Sequence, residues 1–435
     1  MNRNRKGIML LKKYFVLVLF CLGSICSQAE GIEFFQGSLQ DALKKAKSEN
    51  KLVFVDFMAT WCGPCKALAT KVFPEKEIGD YFNAHFVCVQ VDVDKEKELA
   101  RKYQIRAMPT LVFMSAEGKD IVRVTGAASA NRLLKKAKEA TGELPTFDEL
   151  WASLKKNKKD VGIMQEILHE APYIIQERRG QGWESRIKKV FQTYMETKPR
   201  SEMVNATDFT IIMGYAEMQK NNEYVEFVIS HLPDYLKIMP FRRVANPIFS
   251  YTMELINKLA RENDPDYKKE LARVAGDQKI VFDSLKHDKY TPIEFLTILA
   301  DANNALYGHK DQATYVRLCS DYLEATGDKV MLPEYKSFVT DLFTATKGHL
   351  TEEAANQAIV WLNAYLVKGT KDGGQLQPQD LFWYYLTSGD CYAVLADDLK
   401  AKEAYTQAYM LSMQSGNPQL QAHVKQKLDA LNAKS

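Results

Sequence analysis

Residues 53 to 68 read VFVDFMATWCGPCKAL. An apolar run, as expected of a buried central strand, ends in two cysteines with two residues between them. The second half has the pattern of a helix that begins at the first cysteine. At a helix start, unpaired backbone N–H groups and the positive end of the macrodipole stabilise a thiolate, so Cys62 is the candidate nucleophile. Cys65 lies on the same face one turn deeper, placed to attack a mixed disulfide formed at Cys62. Pro64 restricts the backbone and removes an N–H where its loss is tolerated. Trp61 is placed to shield one side of the sulfurs. Asp56 interrupts the apolar strand; burial there would raise its carboxyl above the ordinary range. The plainer reading of Asp56 is a satisfied polar residue at a strand edge. The plainer reading of the cysteines is half a zinc site, but a Cys₄ site needs a second close pair, and Cys88, Cys319 and Cys391 stand alone. No metal is expected, and no cofactor.

Around this stretch the pattern alternates between strand and helix. IEFF reads as a short strand. SLQDALKKAKSEN reads as a helix with Ser38 as N-cap. HFVCVQVDV reads as a second buried strand and KEKELARKYQ as a helix. TLVFMS and DIVRVTG read as a strand pair, and SANRLLKKAKEA as a last helix capped by Ser129. The expectation is an α/β domain with a mixed sheet flanked by helices, over residues 30–142. Cys88 alternates with valines and reads as core rather than as a third redox partner.

VDFMATWCGPCK followed by YQIRAMPTLVFMSAEGKDIVRVTGA resembles the thioredoxin family. KVFPEKEIGDYFNAHFVCVQVD resembles in particular the exported thioredoxin-like proteins related to the C-terminal domain of thiol:disulfide interchange transporters. The resemblance covers residues 31–142. It implies a thioredoxin fold, a redox-active disulfide Cys62–Cys65, and Asp56 as acceptor of the proton from the resolving cysteine. It implies a cis peptide before Pro109, facing the cysteines, and substrate pairing along the backbone of Met108. Trp61, Met108 and Pro109 are then substrate-binding. Met108 departs from the isoleucine of classical thioredoxins, and Met58 from their aromatic residue. Gly-Pro between the cysteines is the thioredoxin choice; oxidants and isomerases of the superfamily carry a His at position 64, absent here. A reductase is favoured, with protein disulfides as substrates and a membrane electron donor that this chain does not contain.

Composition sets the outer limits. A chain of 435 residues, 46% hydrophobic and 26% charged, is that of a folded protein with two or three domains. The formal charge of +3 comes from the first residues, where Arg3, Arg5, Lys6, Lys12 and Lys13 have no acidic counterpart. Residues 1–29 read as a signal peptide: a basic start, the apolar YFVLVLFCLG, and Ser27-Gln28-Ala29 before a cleavage point. An uncleaved anchor, or a lipid on Cys26, are the alternatives for contact with a membrane. Without residues 1–29 the chain has 53 basic and 55 acidic residues, a net of −2, which gives no reason to expect nucleic acid as a partner. The expected location is the periplasm or another exported compartment. Five cysteines then remain, too few for a disulfide scaffold.

After a linker at 143–148, residues 149–435 read as all-α. Thr291-Pro292-Ile293-Glu294 is a capping box with Pro at the first helical position, and Asn417-Pro418 opens the last helix in the same way. At 380–414, Gly389, Tyr392, Ala401, Tyr405 and Ala408 have the spacing of a tetratricopeptide-like helical hairpin; no regular repeat surrounds it. Phe382 to Tyr385 could line a groove, though such a run is more often core. Three functions stay open at this point. One is an exported reductase whose helices engage protein partners. Another is a disulfide oxidase or isomerase. The third is a tetratricopeptide-like binding protein carrying the first domain as a module.

Overall fold

The computed structural model describes residues 31–285, 289–371 and 374–433; the signal-peptide reading, with Cys21 and Cys26, lies outside them. Alternation along β1 (Leu52–Met58) decides how the sheet is filled. Val53, Val55 and Phe57 face one side, where they pack with Leu39, Ala42 and Ala46 of α1 (Leu39–Glu49). Phe54 faces the other side and packs against Leu68 of α2 (Gly63–Lys71) and Ile78 and Phe82 of α3 (Lys76–His85). Asp56, two residues after Phe54, shares that second face. β1 is central: it pairs in parallel with β2 (Phe86–Asp92) and antiparallel with β3 (Thr110–Met114). After β2 runs the short α4 (Lys97–Lys102), and β4 (Asp120–Thr125) closes the order β2-β1-β3-β4. α5 (Ala130–Thr141) covers the Phe54 face through Leu133 and Ala137. This is the expected mixed sheet flanked by helices.

The caps expected at Ser38 and Ser129 are both made, each hydroxyl accepting a backbone N–H of the first turn. Two elements differ from the sequence reading. IEFF does not form a strand; Phe34 makes a single parallel bridge to Cys88, because Ile32 N–H turns away to the Phe73 carbonyl. α3 was not anticipated; there the backbone of Gly31 fills the space that a Cβ on Gly79 would need, 2.3 Å from the Gly31 carbonyl oxygen, so only glycine fits.

The chain divides into two compact units, up to Thr197 and from Lys198. The first therefore extends beyond the 143–148 segment and includes α6 (Phe147–Lys156), α7 (Val161–Glu177) and α8 (Trp183–Thr197). The physical reason is a buried ion cluster between α5 and α7. Glu170, 2% exposed, accepts from Lys136 Nζ at 2.8 Å, Lys135 Nζ at 3.0 Å and Arg132 at 3.4 Å. Burial alone would raise its carboxyl; the lysines draw it down to about 2.

The second unit is helical throughout its described residues. The capping box at Thr291 and Glu294 is formed, and Asn417 caps Pro418–Asn432. The helices Pro378–Val394 and Asp398–Ser415 pack against each other as a helical hairpin. Tyr384 is buried and its neighbours Phe382, Trp383 and Tyr385 are partly buried in the helical cores, so this run is mostly packing. Tyr384 and Tyr385 also border an open cavity of about 690 Å³. Cys319 and Cys391 are buried and form no disulfide, as small core residues.

Candidate active site

β1 delivers the chain to the site and α2 presents the sulfurs. Cys62 is the N-cap of α2; its Sγ accepts the backbone N–H of Cys65 at 3.2 Å, and Pro64 stands at the helix start. The same N–H that caps the helix would solvate a thiolate on Cys62. Cys62 and Cys65 are joined as a disulfide, each 4% exposed. With Ala59 they form a small apolar cluster against Met58, Val93 and Met108. The Met108–Pro109 peptide is cis, as the resemblance implied, and Pro109 is buried. Cysteines and proline loop, far apart in sequence, thus meet through Met108.

Trp61 is 64% exposed, and its Nε1–H donates to Asp94 Oδ2 at 2.8 Å. It is an exposed ring beside the sulfurs, tethered from the loop after β2. Asp94 was not singled out in the sequence; the only signal was an acidic run, VDVDKEKE, after a buried strand.

Asp56 is 2% exposed. Its Oδ2 accepts Gln90 Nε2–H at 3.0 Å, while Oδ1 has no hydrogen-bond partner among the described residues. Burial pushes its carboxyl up to about 6, and the Gln90 hydrogen bond opposes that rise. The satisfied-polar reading of Asp56 therefore fails on one oxygen. Gln90 was missed by the sequence reading; it lies opposite Asp56 in the β1–β2 register, as the one exposed side chain within β2. Cys88 sits in the same strand, buried, its thiol pushed up by burial, and it forms no disulfide. Among the described residues no cluster of three or more His, Cys, Asp or Glu could hold a metal ion.

A thioredoxin-like domain model matches residues 39–141. The chain is 46% identical over 83 residues to Thioredoxin-2 of Saccharomyces cerevisiae, covering 19% of this chain and 75% of that protein. It is 37% identical over 100 residues to a Thioredoxin H-type of Fagopyrum esculentum, covering 23% of this chain and 82% of that one. Among solved structures, a candidate disulphide-isomerase from Bacteroides thetaiotaomicron is 45% identical, covering 26% of this chain and 97% of its own, with a TM-score of 0.25. A buried cysteine pair capping its helix, a cis-proline loop against it, and the two thioredoxin relatives agree: the chain belongs to the thioredoxin family, and its first domain is a thiol-disulfide oxidoreductase.

Proposed function

We propose that the protein is an exported reductase of protein disulfides. In the reduced protein the Cys62 thiolate attacks a substrate disulfide. A Cys62–substrate disulfide forms and the first substrate sulfur leaves as a thiolate. Cys65 gives its proton to Asp56, and the resulting thiolate attacks Cys62 Sγ. The second substrate sulfur leaves, and the Cys62–Cys65 disulfide is formed. The substrate gains two electrons, and its two thiolates take up protons from solvent; the protein loses two electrons, and Asp56 passes the Cys65 proton on to solvent. A membrane donor returns the two electrons. Trp61, Met108 and Pro109 hold the substrate, which pairs along the Met108 backbone. The observation that carries this reading is the Cys62 sulfur that caps its helix and packs with Cys65 against Met108; the buried Asp56 carboxyl of β1, pushed up to about 6 by burial, supports it as proton acceptor.

Gly63-Pro64 between the cysteines, with no His, supports the reducing direction. So does the likeness of KVFPEKEIGDYFNAHF to the domain of interchange transporters. The N-terminal segment supports export with cleavage after Ala29, which intact mass of the secreted protein would check. The tetratricopeptide-like hairpin at 380–414, with its open cavity, supports engagement of protein partners by the helical region. Equilibration of the full chain with glutathione tests the direction. A potential near about −270 mV fits a reductase; one of about −180 to −120 mV overturns it in favour of an oxidase or isomerase.

A further inference from the structure

The Met108–Pro109 loop does not face open solvent on both sides. A cavity of about 380 Å³ lies between the loop residues Arg106, Ala107 and Thr110 and the α7 residues Tyr173, Gln176 and Glu177. α7 lies outside the segment that matches the thioredoxin-like domain. It is fixed beside the loop by the Glu170 cluster described above, and Arg132 also lies over the Tyr173 ring, 3.2 Å from its centroid. Tyr173, held from beneath in this way, is still 41% exposed. A buried, multiply paired carboxylate gives α7 a single position rather than a loose association.

The charges in this cavity are unequal in how they are used. Arg123, which also lines it, donates to the Tyr103 carbonyl at 2.9 Å and to Asp120. Glu177 faces Arg132 at 3.8 Å. The Ala107 carbonyl accepts from Thr110 Oγ1 at 2.8 Å. Arg106 is exposed and makes no hydrogen bond or ion pair among the described residues. The one uncommitted charge in the lining is therefore a guanidinium, which favours a carboxylate held by two parallel hydrogen bonds.

We propose that α7 is the outer wall of the substrate groove, and that the groove takes an acidic side chain of a polypeptide disulfide, two to three residues from the attacked cysteine. The inference rests on the reading of Met108 as the edge with which substrate pairs. An extended chain paired there advances about 3.3 Å per residue, so its side chains reach Arg106 within two or three positions. A small disulfide does not extend that far. Recognition and exchange are thus separable: Cys62 reacts with any accessible disulfide, while Arg106 and α7 select among polypeptides.

The test uses the full-length reduced protein and octapeptides whose single cysteine carries a thionitrobenzoate, with Asp, Asn or Lys at each of the second and third positions from the cysteine. Bis(2-hydroxyethyl) disulfide reports the chemistry at Cys62 alone. The expected result is a kcat/KM about fivefold higher for the Asp than for the Lys peptides, carried by KM, with Asn between. Arg106→Gln should flatten the series. Gln176→Glu, an exposed change on α7, should lower the Asp preference at least twofold while hydroxyethyl disulfide is reduced as before. A flat or Lys-favouring series in the unaltered protein overturns the acidic preference. A Gln176→Glu series identical to the unaltered one overturns the role of α7. Absent reduction of hydroxyethyl disulfide overturns the reductase reading instead, so the two failures are told apart.

Discussion

Two aspartates are buried among the described residues, one in each unit, and they are held in opposite ways. Asp208, 0% exposed, accepts from Lys198 Nζ at 2.6 Å and from the Asn205 side chain, and its own N–H donates to Asn205 Oδ1 at 3.0 Å. Asn205 is at the same time the N-cap of the helix Ala206–Tyr215. Asp56 has one amide donor and one oxygen with none. A carboxylate with a cation and an amide is part of the scaffold. A carboxyl left half-satisfied is penalised when charged, and burial pushes it up to about 6. Burial is the same in both; the partners differ.

The sharpest break would come from chemistry. Cys62→Ser should reduce insulin disulfide reduction to the uncatalysed rate, since the free cysteines Cys88, Cys319 and Cys391 are buried and none has a second cysteine at CXXC spacing. Full activity after Cys62→Ser would remove the reductase reading. Capture of protein partners with Cys62 replaced would show that the helical region binds independently.

The second largest effect belongs to the scaffold aspartate. Asp208→Ala removes the carboxylate partner of Lys198, whose side chain is 11% exposed. Breaking one side of a buried pair costs about 3–5 kcal/mol, so urea should unfold the second unit at a clearly lower midpoint. Reduction of hydroxyethyl disulfide at low urea should be unchanged. A loss below about 1 kcal/mol would mean that Asp208 is no more scaffold than Asp56, and the contrast would fail.

Asp56→Asn should act with the opposite sign. The folded carboxyl is raised to about 6 from an ordinary 3.8, so its favourable neutral form contributes fully below about pH 4 and is lost as pH rises through 6. Replacing it with a permanently neutral amide should stabilise the protein by about 3 kcal/mol at pH 8, with no gain below about pH 4. The same variant should exchange more slowly at about pH 7, because Cys65 loses its proton acceptor. Unaltered protein should show turnover rising through about pH 6, and the Asp56→Asn variant should not. Urea melts at pH 4 and pH 8 and a pH–rate profile check both halves. A destabilising Asp56→Asn at pH 8 would place Asp56 with Asp208.

What the sequence could show of all this follows the range of each interaction. Caps at Ser38, Ser129 and Thr291 are local, decided within four residues, and the helices begin there. The apolar run of β1 and the charge inside it made the burial of Asp56 readable. Gln90 is beside Asp56 only because of the parallel register of two strands thirty-odd positions apart, and Asp94 reaches Trp61 across a loop. Neither pairing has a local signature. The docking of α7 depends on Glu170 meeting three cations of α5, and one Glu among many on an amphipathic helix does not announce itself. A linker at 143–148 follows from where the thioredoxin resemblance ends and from the segment after it, and neither registers that cluster.

The smallest expected effect tests the second unit, where no unmet buried side-chain polar atom is found among the described residues. In the hairpin of Pro378–Val394 and Asp398–Ser415, a Cβ on Gly389 would lie 2.5 Å from the Tyr405 ring. The ring cannot simply swing away: its hydroxyl donates to Asp390 Oδ1 at 2.7 Å, the same oxygen that accepts Lys427 Nζ at 2.6 Å. Gly389→Ala gains up to about 1 kcal/mol of helix propensity and loses about 1–3 kcal/mol to overpacking, for a net destabilisation of about 1–2 kcal/mol. Urea unfolding with an unchanged m-value and a lower midpoint would show that close packing, not exchangeable charge, sets this region. A neutral or stabilising Gly389→Ala would mean that the two helices can part without cost. Close packing at Gly389 would then not be what holds this hairpin together.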